Sequence, residues 1–393
     1  MWVVGLDYFL NDKWVQKTSK NLDNNIYATN LPATNNAKFH FSFNQQVNSD
    51  KFLFDYFKAY EISDDFSITR DDMRLIEFVS LLLIEGTFEE TDYWKIIRKI
   101  KEIEAGKKPK NRDEFRIWNL IEIMNLINED GFKINEDNYE LVVHILFRNM
   151  GFDLDIKSNY YRNNETPIVF TNAIKPQIKV IDKEVEAFIK YVEKLSDKDI
   201  SGTTQAGIIL NSFLFIYPYQ EFSITLAFIL SRWYLKRIAP NLQGIQTMYN
   251  VGTNWEDFVK KTNQSFEELN LDPFLDFMKQ ICKNGVNNLY RLSLFQELVE
   301  EQKNSPTKVF ATLIEQAIVI KIITSKTQSF RLDKIVNNFK IRKVNFVKEE
   351  EIKNVIQKMI DLNFLIKKEE KQSTLYELND QFLEKIRLLL KDQ

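Results

Sequence analysis

Residues 206–236 read AGIILNSFLFIYPYQEFSITLAFILSRWYLK: one apolar run, a short polar bend holding Pro218, and a second apolar run. The pattern predicts two buried helices joined by a tight connection, since neither run shows the alternation of a half-exposed strand. With ten glycines and eight prolines in 393 residues, the chain as a whole favours long helices over turns. The apolar share of 44%, with 13% aromatics, is ample for packed cores and excludes a disordered protein.

Upstream of the central stretch, DDMRLIEFVSLLLIEG (71–86) has an acidic start, an apolar period and a terminal glycine, Gly86, so it reads as a helix and its end. Residues 111–152 read as two helices broken at Asp130-Gly131. One apolar face would hold Trp118, Ile121 and Met124 to Ile127; the other would hold Leu141, Val142, Ile145 and Leu146. KFHFSF (38–43) alternates as a strand does, and Pro167-Ile168-Val169-Phe170 reads as a short strand between turn-formers. Val185, Phe188, Ile189 and Val192 recur on a helical period, as do Phe274, Leu275, Phe277, Met278 and Ile281; both sets read as core.

Asn304-Ser305-Pro306 marks a boundary. Beyond it come a helix over 309–324, a short one over 333–339, a longer one over 348–362, and FLIKKEEKQSTLYEL (364–378), two strands around a polar turn. That order is a winged-helix pattern. Arg342, Lys343, Lys353, Lys358, Lys367 and Lys368 are its candidate phosphate contacts. Glu349-Glu350-Glu351 stands against them, because it opens the helix whose N-terminus would face the groove. DNA contact and protein contact both stay open for this domain.

The central stretch resembles the core of the Fic (Fido) family. In the nucleotidyl-transferring members, an alanine-led helix precedes an HPFxDGNGR loop and a second helix carrying another arginine. Ala206, Phe213 and Ile216 match the lead-in helix, and Pro218-Tyr219 matches Pro-Phe. Tyr217 stands for the histidine and Glu221 for the acidic metal ligand. Phe222, Ser223 and Ile224 stand for Gly-Asn-Gly, Thr225 for the first arginine and Phe228 for the second.

Further matches fall in family order over about residues 70 to 300. Ile84-Glu85-Gly86-Thr87 resembles the inhibitory-helix motif, in which a glutamate pairs with the loop's second arginine; Leu81 holds its Ser/Thr place, and Arg232 is the nearest arginine that could answer Glu85. Pro167 to Phe170 is similar to the flap that holds a target segment by strand addition. Several larger family members also end in a winged helix.

The resemblance therefore implies a mainly α fold: a Fic-type helical core with a small β-hairpin flap, plus a C-terminal winged-helix domain. The expected divisions are 1–70, unassigned; 71–304, the Fic-like domain; and 305–393, the winged helix. The loop implies loss of transfer chemistry. A tyrosine is a poor general base near neutral pH, and the arginines and glycines that would surround phosphates are replaced.

The expected function is a catalytically degenerate regulator or adaptor that binds a protein, through the flap or the N-terminal segment, or DNA, through the winged helix. The alternative is an AMPylator-like nucleotidyltransferase using Glu221 as metal ligand with Mg and ATP or another nucleotide; otherwise no cofactor is expected. A homodimer fits the resemblance.

Cys282, the single cysteine, excludes an internal disulfide and points to a reducing cytoplasm. His40 and His144 are too few for a multi-histidine metal site and read as structural. A net charge of −3 and a pI near 5.8 exclude any global attraction to nucleic acid. No apolar run reaches the roughly 20 residues of a membrane span.

Overall fold

The computed structural model describes residues 26–29, 31–32, 38–42, 67–89, 93–152, 160–170, 176–194, 202–238, 247–285, 310, 315, 318–319, 322, 329–333, 336, 348–370, 373–379 and 381. The fold is mainly α with small antiparallel sheets. Its contacts group into two units, one of Met1–Asp55 and Met73–Lys283, the other of Tyr56–Asp72 and Asn284–Gln393. No described helix is long and apolar enough to cross a membrane.

In the first unit, β1 (Ile26–Ala28) pairs antiparallel with β2 (His40–Ser42). Phe39 and Phe41 are fully buried while their neighbours are not, so the alternation in KFHFSF is that of a strand with one face on the core. α1 (Ser67–Leu83) starts before the acidic pair at 71–72, which lies inside the helix rather than at its cap. Gly86, at φ +70°, follows in the turn, where only glycine adopts that conformation without strain.

α2 (Tyr93–Glu104) leads to α3 (Arg112–Leu126) and α4 (Glu136–Phe147). Asn111 and Asn135 cap the last two, their side chains accepting the N–H of Glu114 and Asn138. The apolar face expected on α3 is corrected. Trp118 is 40% exposed, and the buried side is Arg116, Ile117, Leu120 and Ile123. Arg148, with its guanidinium over the Trp118 ring, lets that indole stay at the surface. On α4, Leu141 is likewise exposed, whereas Val142, Ile145 and Leu146 are buried.

After a 3-10 turn at Ile178–Val180 comes α5 (Ile181–Lys194), with Val185, Phe188, Ile189 and Val192 all buried. α6 (Gly202–Ile216) is buried at every position, and α7 (Ser223–Ile238) packs along it. Small residues make the approach close: Ser231 Oγ donates to the Ala206 carbonyl at 2.9 Å. α8 (Thr247–Thr253), α9 (Trp255–Glu268) and a helical run over 272–283 close the unit. Phe258, Phe266 and Phe274 bring their rings against the core from these closing elements.

In the second unit, β3 (Ser329–Arg331), α10 (Glu349–Asp361), β4 (Leu365–Glu370) and β5 (Ser373–Leu378) are described. The sheet order is β3-β5-β4, antiparallel throughout, with Leu365 opposite Leu378 and Phe330 opposite Tyr376. α10 is closed at its start by Glu351, whose carboxylate accepts the Lys348 N–H at 2.7 Å. At its end Asn363 takes φ +55° and turns the chain into β4. The two strands read from 364–378 are present; β3 was not anticipated, because three residues are too few for a period to show. The break at 304–306 lies outside the described residues.

Candidate functional site

The link between α6 and α7, residues 217–222, turns its aromatic side chains inward and leaves Gln220 and Glu221 partly exposed. Tyr217, Tyr219 and Phe222 are each at most 4% exposed. The backbone is nevertheless that of a loop built for glycine: Tyr217 sits at φ +44° and Phe222 at φ +66°. Each L-residue held there costs about 1–2 kcal/mol, which the burial of its ring offsets. Phe222 packs edge-on to Phe147, centroids 5.1 Å apart.

Residues 160–162 pin the loop from one side. The Arg162 N–H donates to the Pro218 carbonyl at 2.9 Å and the Gln220 N–H to the Tyr160 carbonyl at 3.1 Å, forming an antiparallel bridge between Tyr161 and Tyr219. Ser223 Oγ accepts the Tyr219 N–H at 2.9 Å and donates to the Tyr219 carbonyl at 3.1 Å, so that hydroxyl is spent locally.

Glu85 and Arg116 meet at the start of α7. The Glu85 carboxylate accepts the N–H of Thr225 at 2.7 Å, placing an anion at the positive end of the helix. Burial pushes the Glu85 carboxyl above the usual range, against the pull of the Thr225 N–H and the Arg116 charge. Arg116, 2% exposed, donates Nη1 to Thr87 Oγ1 at 2.6 Å and lies 4.7 Å from the Phe222 ring centroid. Its Nε and Nη2 have no hydrogen-bond acceptor. Burial pushes the Arg116 guanidinium down, countered by Glu85, Glu221 and Asp113.

Glu221 is engaged as well: Arg112 Nη2 reaches both of its carboxylate oxygens at 2.7 Å. Arg232 does not answer Glu85; it lies 3.7 Å from Glu77, whose carboxylate also takes the Met248 N–H at 2.8 Å.

The loop can do little acid-base chemistry. Burial, then the Glu85 charge, drives the Tyr217 phenol upward, away from any role as a base. Ile224 and Phe228 are buried, and the Phe228 ring lies 5.7 Å from that of Phe258, so both belong to the core. Among the described residues no three His, Cys, Asp or Glu side chains are grouped to hold a metal ion. His144 is exposed on α4 and His40 half-buried at β2.

The strand expected at Pro167, Ile168, Val169 and Phe170 is corrected. Those four residues take no strand conformation, and the described bridge to the loop is made by Tyr161; residues 171–175, which follow, lie outside the described residues. Asn163 and Thr166 close a hydrogen-bonded turn, Asn163 N–H to Thr166 Oγ1 at 3.0 Å, just before a proline that has no N–H to offer. Phe170 is fully buried against Phe258 and Phe266, while Val169 is 42% exposed.

The described basic candidates of the second unit all face carboxylates. Lys353 pairs with Glu349 at 3.0 Å, Lys358 with Glu315 at 3.0 Å, Lys367 with Glu369 at 3.0 Å and Lys368 with Glu377 at 2.5 Å. Arg342 and Lys343 lie outside the described residues. Sequence reasoning missed Arg112 and Arg116; their spacing of four, just after the Asn111 cap, was the available sign that both share one face of α3.

No family model matches the chain, and no curated protein does. Among solved structures, the chain is similar to a crystal structure of a Fic family protein from Desulfovibrio desulfuricans G20, at 11% sequence identity and a TM-score of 0.49, over 84% of this chain and 96% of that one.

Proposed function

We propose that this is a Fic-fold protein that has given up nucleotidyl transfer and acts as a protein-binding regulator. The observation that carries the reading is the self-occupied loop. Glu85 fills the α7 N-terminus and Arg112 neutralises Glu221. Aromatic side chains fill the positions where the family's histidine, glycine and second arginine would stand. Losing a general base costs about 10²–10⁴-fold and losing one preorganised donor about 10²–10³-fold. Together they leave no useful transfer rate.

The strand order β3-β5-β4 with α10 ahead of the hairpin supports a winged helix in the second unit. The carboxylates facing Lys353, Lys358, Lys367 and Lys368 favour a protein partner over DNA for it. The single cysteine suits a cytoplasmic setting.

The test is label transfer: the full chain with Mg or Mn, labelled ATP, GTP, CTP and UTP in turn, and a cell lysate as target. No label on any protein, alongside a cooperative thermal transition, is the expected result. Label that disappears in Glu221→Ala would overturn the proposal in favour of a retooled transferase.

A second reading keeps a nucleotide bound without turnover, and the two unpartnered donors of Arg116 favour it. It predicts ATP binding that strengthens in Glu85→Ala, because the internal anion no longer competes for the helix N-terminus. A flat calorimetric titration of that variant would remove it.

A further inference from the structure

Residues 95–112 of the first unit concentrate positive charge in a chain whose net charge is −3. The apolar side of α2, Ile96, Ile100 and Ile103, is buried, which leaves Lys95, Arg98 and Lys101 exposed. Lys107, Lys108 and Lys110 follow in the connector to α3 and are exposed as well. Between 95 and 112 only Glu102 and Glu104 oppose them, and both are engaged. Glu102 pairs with Lys107 at 2.6 Å and with Arg98 at 3.7 Å, and Glu104 with Arg74 at 2.6 Å. Lys101, Lys108 and Lys110 form no ion pair among the described residues.

The connector that carries these lysines is pinned at both ends. The Lys107 N–H donates to the Glu102 carbonyl at 3.0 Å, and the Lys110 N–H to Glu114 Oε2 at 2.8 Å. Glu114 is itself only 7% exposed, so its carboxylate serves the backbone from inside. The cations therefore project from a fixed turn, with little ordering left to a ligand.

The same turn leads into an aromatic pair at the surface. Phe115 and Trp118 stack at 6.4 Å and 18° on α3, and Trp118 is 40% exposed. Six residues of helix set Trp118 about 9 Å along the axis from Arg112, where α3 begins. Arg148, paired with Glu122, adds a guanidinium 5.7 Å from the indole centroid.

Charge and rings together select the partner. A lipid surface needs apolar side chains to sink into its acyl boundary, and those of α2 are buried. An acidic peptide answers the lysines but brings no ring to Trp118. A duplex answers them too, but keeps its bases stacked inside. A single strand satisfies both halves: its phosphates meet the lysines, and an unstacked base lies against the indole.

We propose that α2, the connector and the first two turns of α3 bind single-stranded nucleic acid, with Lys101, Lys108 and Lys110 on the backbone and Trp118 against a base. The proposal depends neither on the reading of the α6–α7 loop nor on the second unit.

The experiment is a fluorescence-anisotropy titration of labelled oligo(dT), and in a parallel arm oligo(U), with the full chain at two salt concentrations. Saturable binding is expected, falling steeply as salt rises. A duplex of the same length should bind about tenfold more weakly, since it offers no free base to stack. Lys101→Gln with Lys108→Gln and Lys110→Gln should weaken binding about tenfold or more and flatten its salt dependence. Trp118→Ala should weaken it about fivefold or more and leave the salt dependence as it was, because a stacked base is lost and no phosphate contact. All four positions are exposed, so an unchanged thermal midpoint checks the fold. The tighter oligonucleotide identifies the source, DNA or RNA. Absence of saturable binding, or affinity indifferent to the lysine change or to Trp118→Ala, would overturn the proposal. Displacement of the oligonucleotide by poly-glutamate at equal charge would overturn it in favour of an acidic protein segment.

Discussion

The carboxylate of Glu85 accepts the backbone N–H of Thr225 at 2.7 Å, so the first turn of α7 is capped from a segment 140 residues away in sequence. The contact ties the end of α1 to the central helix pair, and it fills with a protein anion the spot where a helix N-terminus would draw a phosphate.

Removing that anion has a directional consequence. Glu85→Ala leaves a helix-start N–H without its acceptor, at a cost of about 1–2 kcal/mol. It also strips a countercharge from buried Arg116, so the total falls at or above the top of that range. Glu85→Gln keeps an acceptor and should cost less. Thermal unfolding of the three proteins orders them wild type or Gln first and Ala last; an Ala variant as stable as wild type would show that the contact contributes nothing.

The pH dependence follows from the raised Glu85 value. A carboxyl that binds its proton more tightly when folded contributes stability at pH below its unfolded value, and that contribution is lost as pH rises through the folded one. Wild type should therefore lose stability relative to Glu85→Gln as pH climbs from the ordinary glutamate range through the raised value. A stability difference that stays constant across that window would show that folding leaves the carboxyl's proton affinity unchanged.

Phe222 sets backbone strain against packing. Replacing it by glycine relieves about 1–2 kcal/mol of left-handed strain but removes a fully buried ring, a loss of about 3–5 kcal/mol. Packing wins, and Phe222→Gly should be destabilised by about 1–4 kcal/mol, the difference of those ranges. Denaturant unfolding measures it, and a stabilised variant would mean that the ring is poorly seated.

The helical pair around the loop was legible because its evidence is local: two apolar runs with one proline between them. The inside of the loop was not. That Tyr217 and Phe222 adopt a glycine-like backbone is decided by Phe147, Arg116 and Tyr161, residues that no sequence period connects to them. Trp118 was read as core because hydrophobicity alone cannot see Arg148 lying over its ring at the surface. Pro167 to Phe170 has strand composition, but pairing needs a partner edge, and Tyr161 occupies the one at Tyr219.

Gly207 tests the closeness of the central packing. A β-carbon there would stand 2.5 Å from Leu275 Cδ2, inside any real contact, and Leu275 is itself buried. Alanine gains about 1 kcal/mol in helix propensity, while overpacking costs about 1–3 kcal/mol. Gly207→Ala should come out neutral to destabilising by about 2 kcal/mol, and Gly207→Ala combined with Leu275→Val should recover part of the loss. Failure of the second change to compensate would place the strain elsewhere.

The paired lysines of the second unit make the last prediction. Exposed ion pairs are individually weak, so phosphate could compete for Lys367 or Lys368; what stands against DNA is that each described candidate lysine already has a carboxylate beside it. The full chain should therefore show weak retardation of duplex DNA. Glu349→Gln with Glu369→Gln and Glu377→Gln, all facing lysines now, should create binding that falls steeply with salt. Tight, salt-sensitive binding by the unaltered chain, lost on reversing the charges of Arg342 and Lys343, would show instead that this unit reads DNA through residues other than the paired ones.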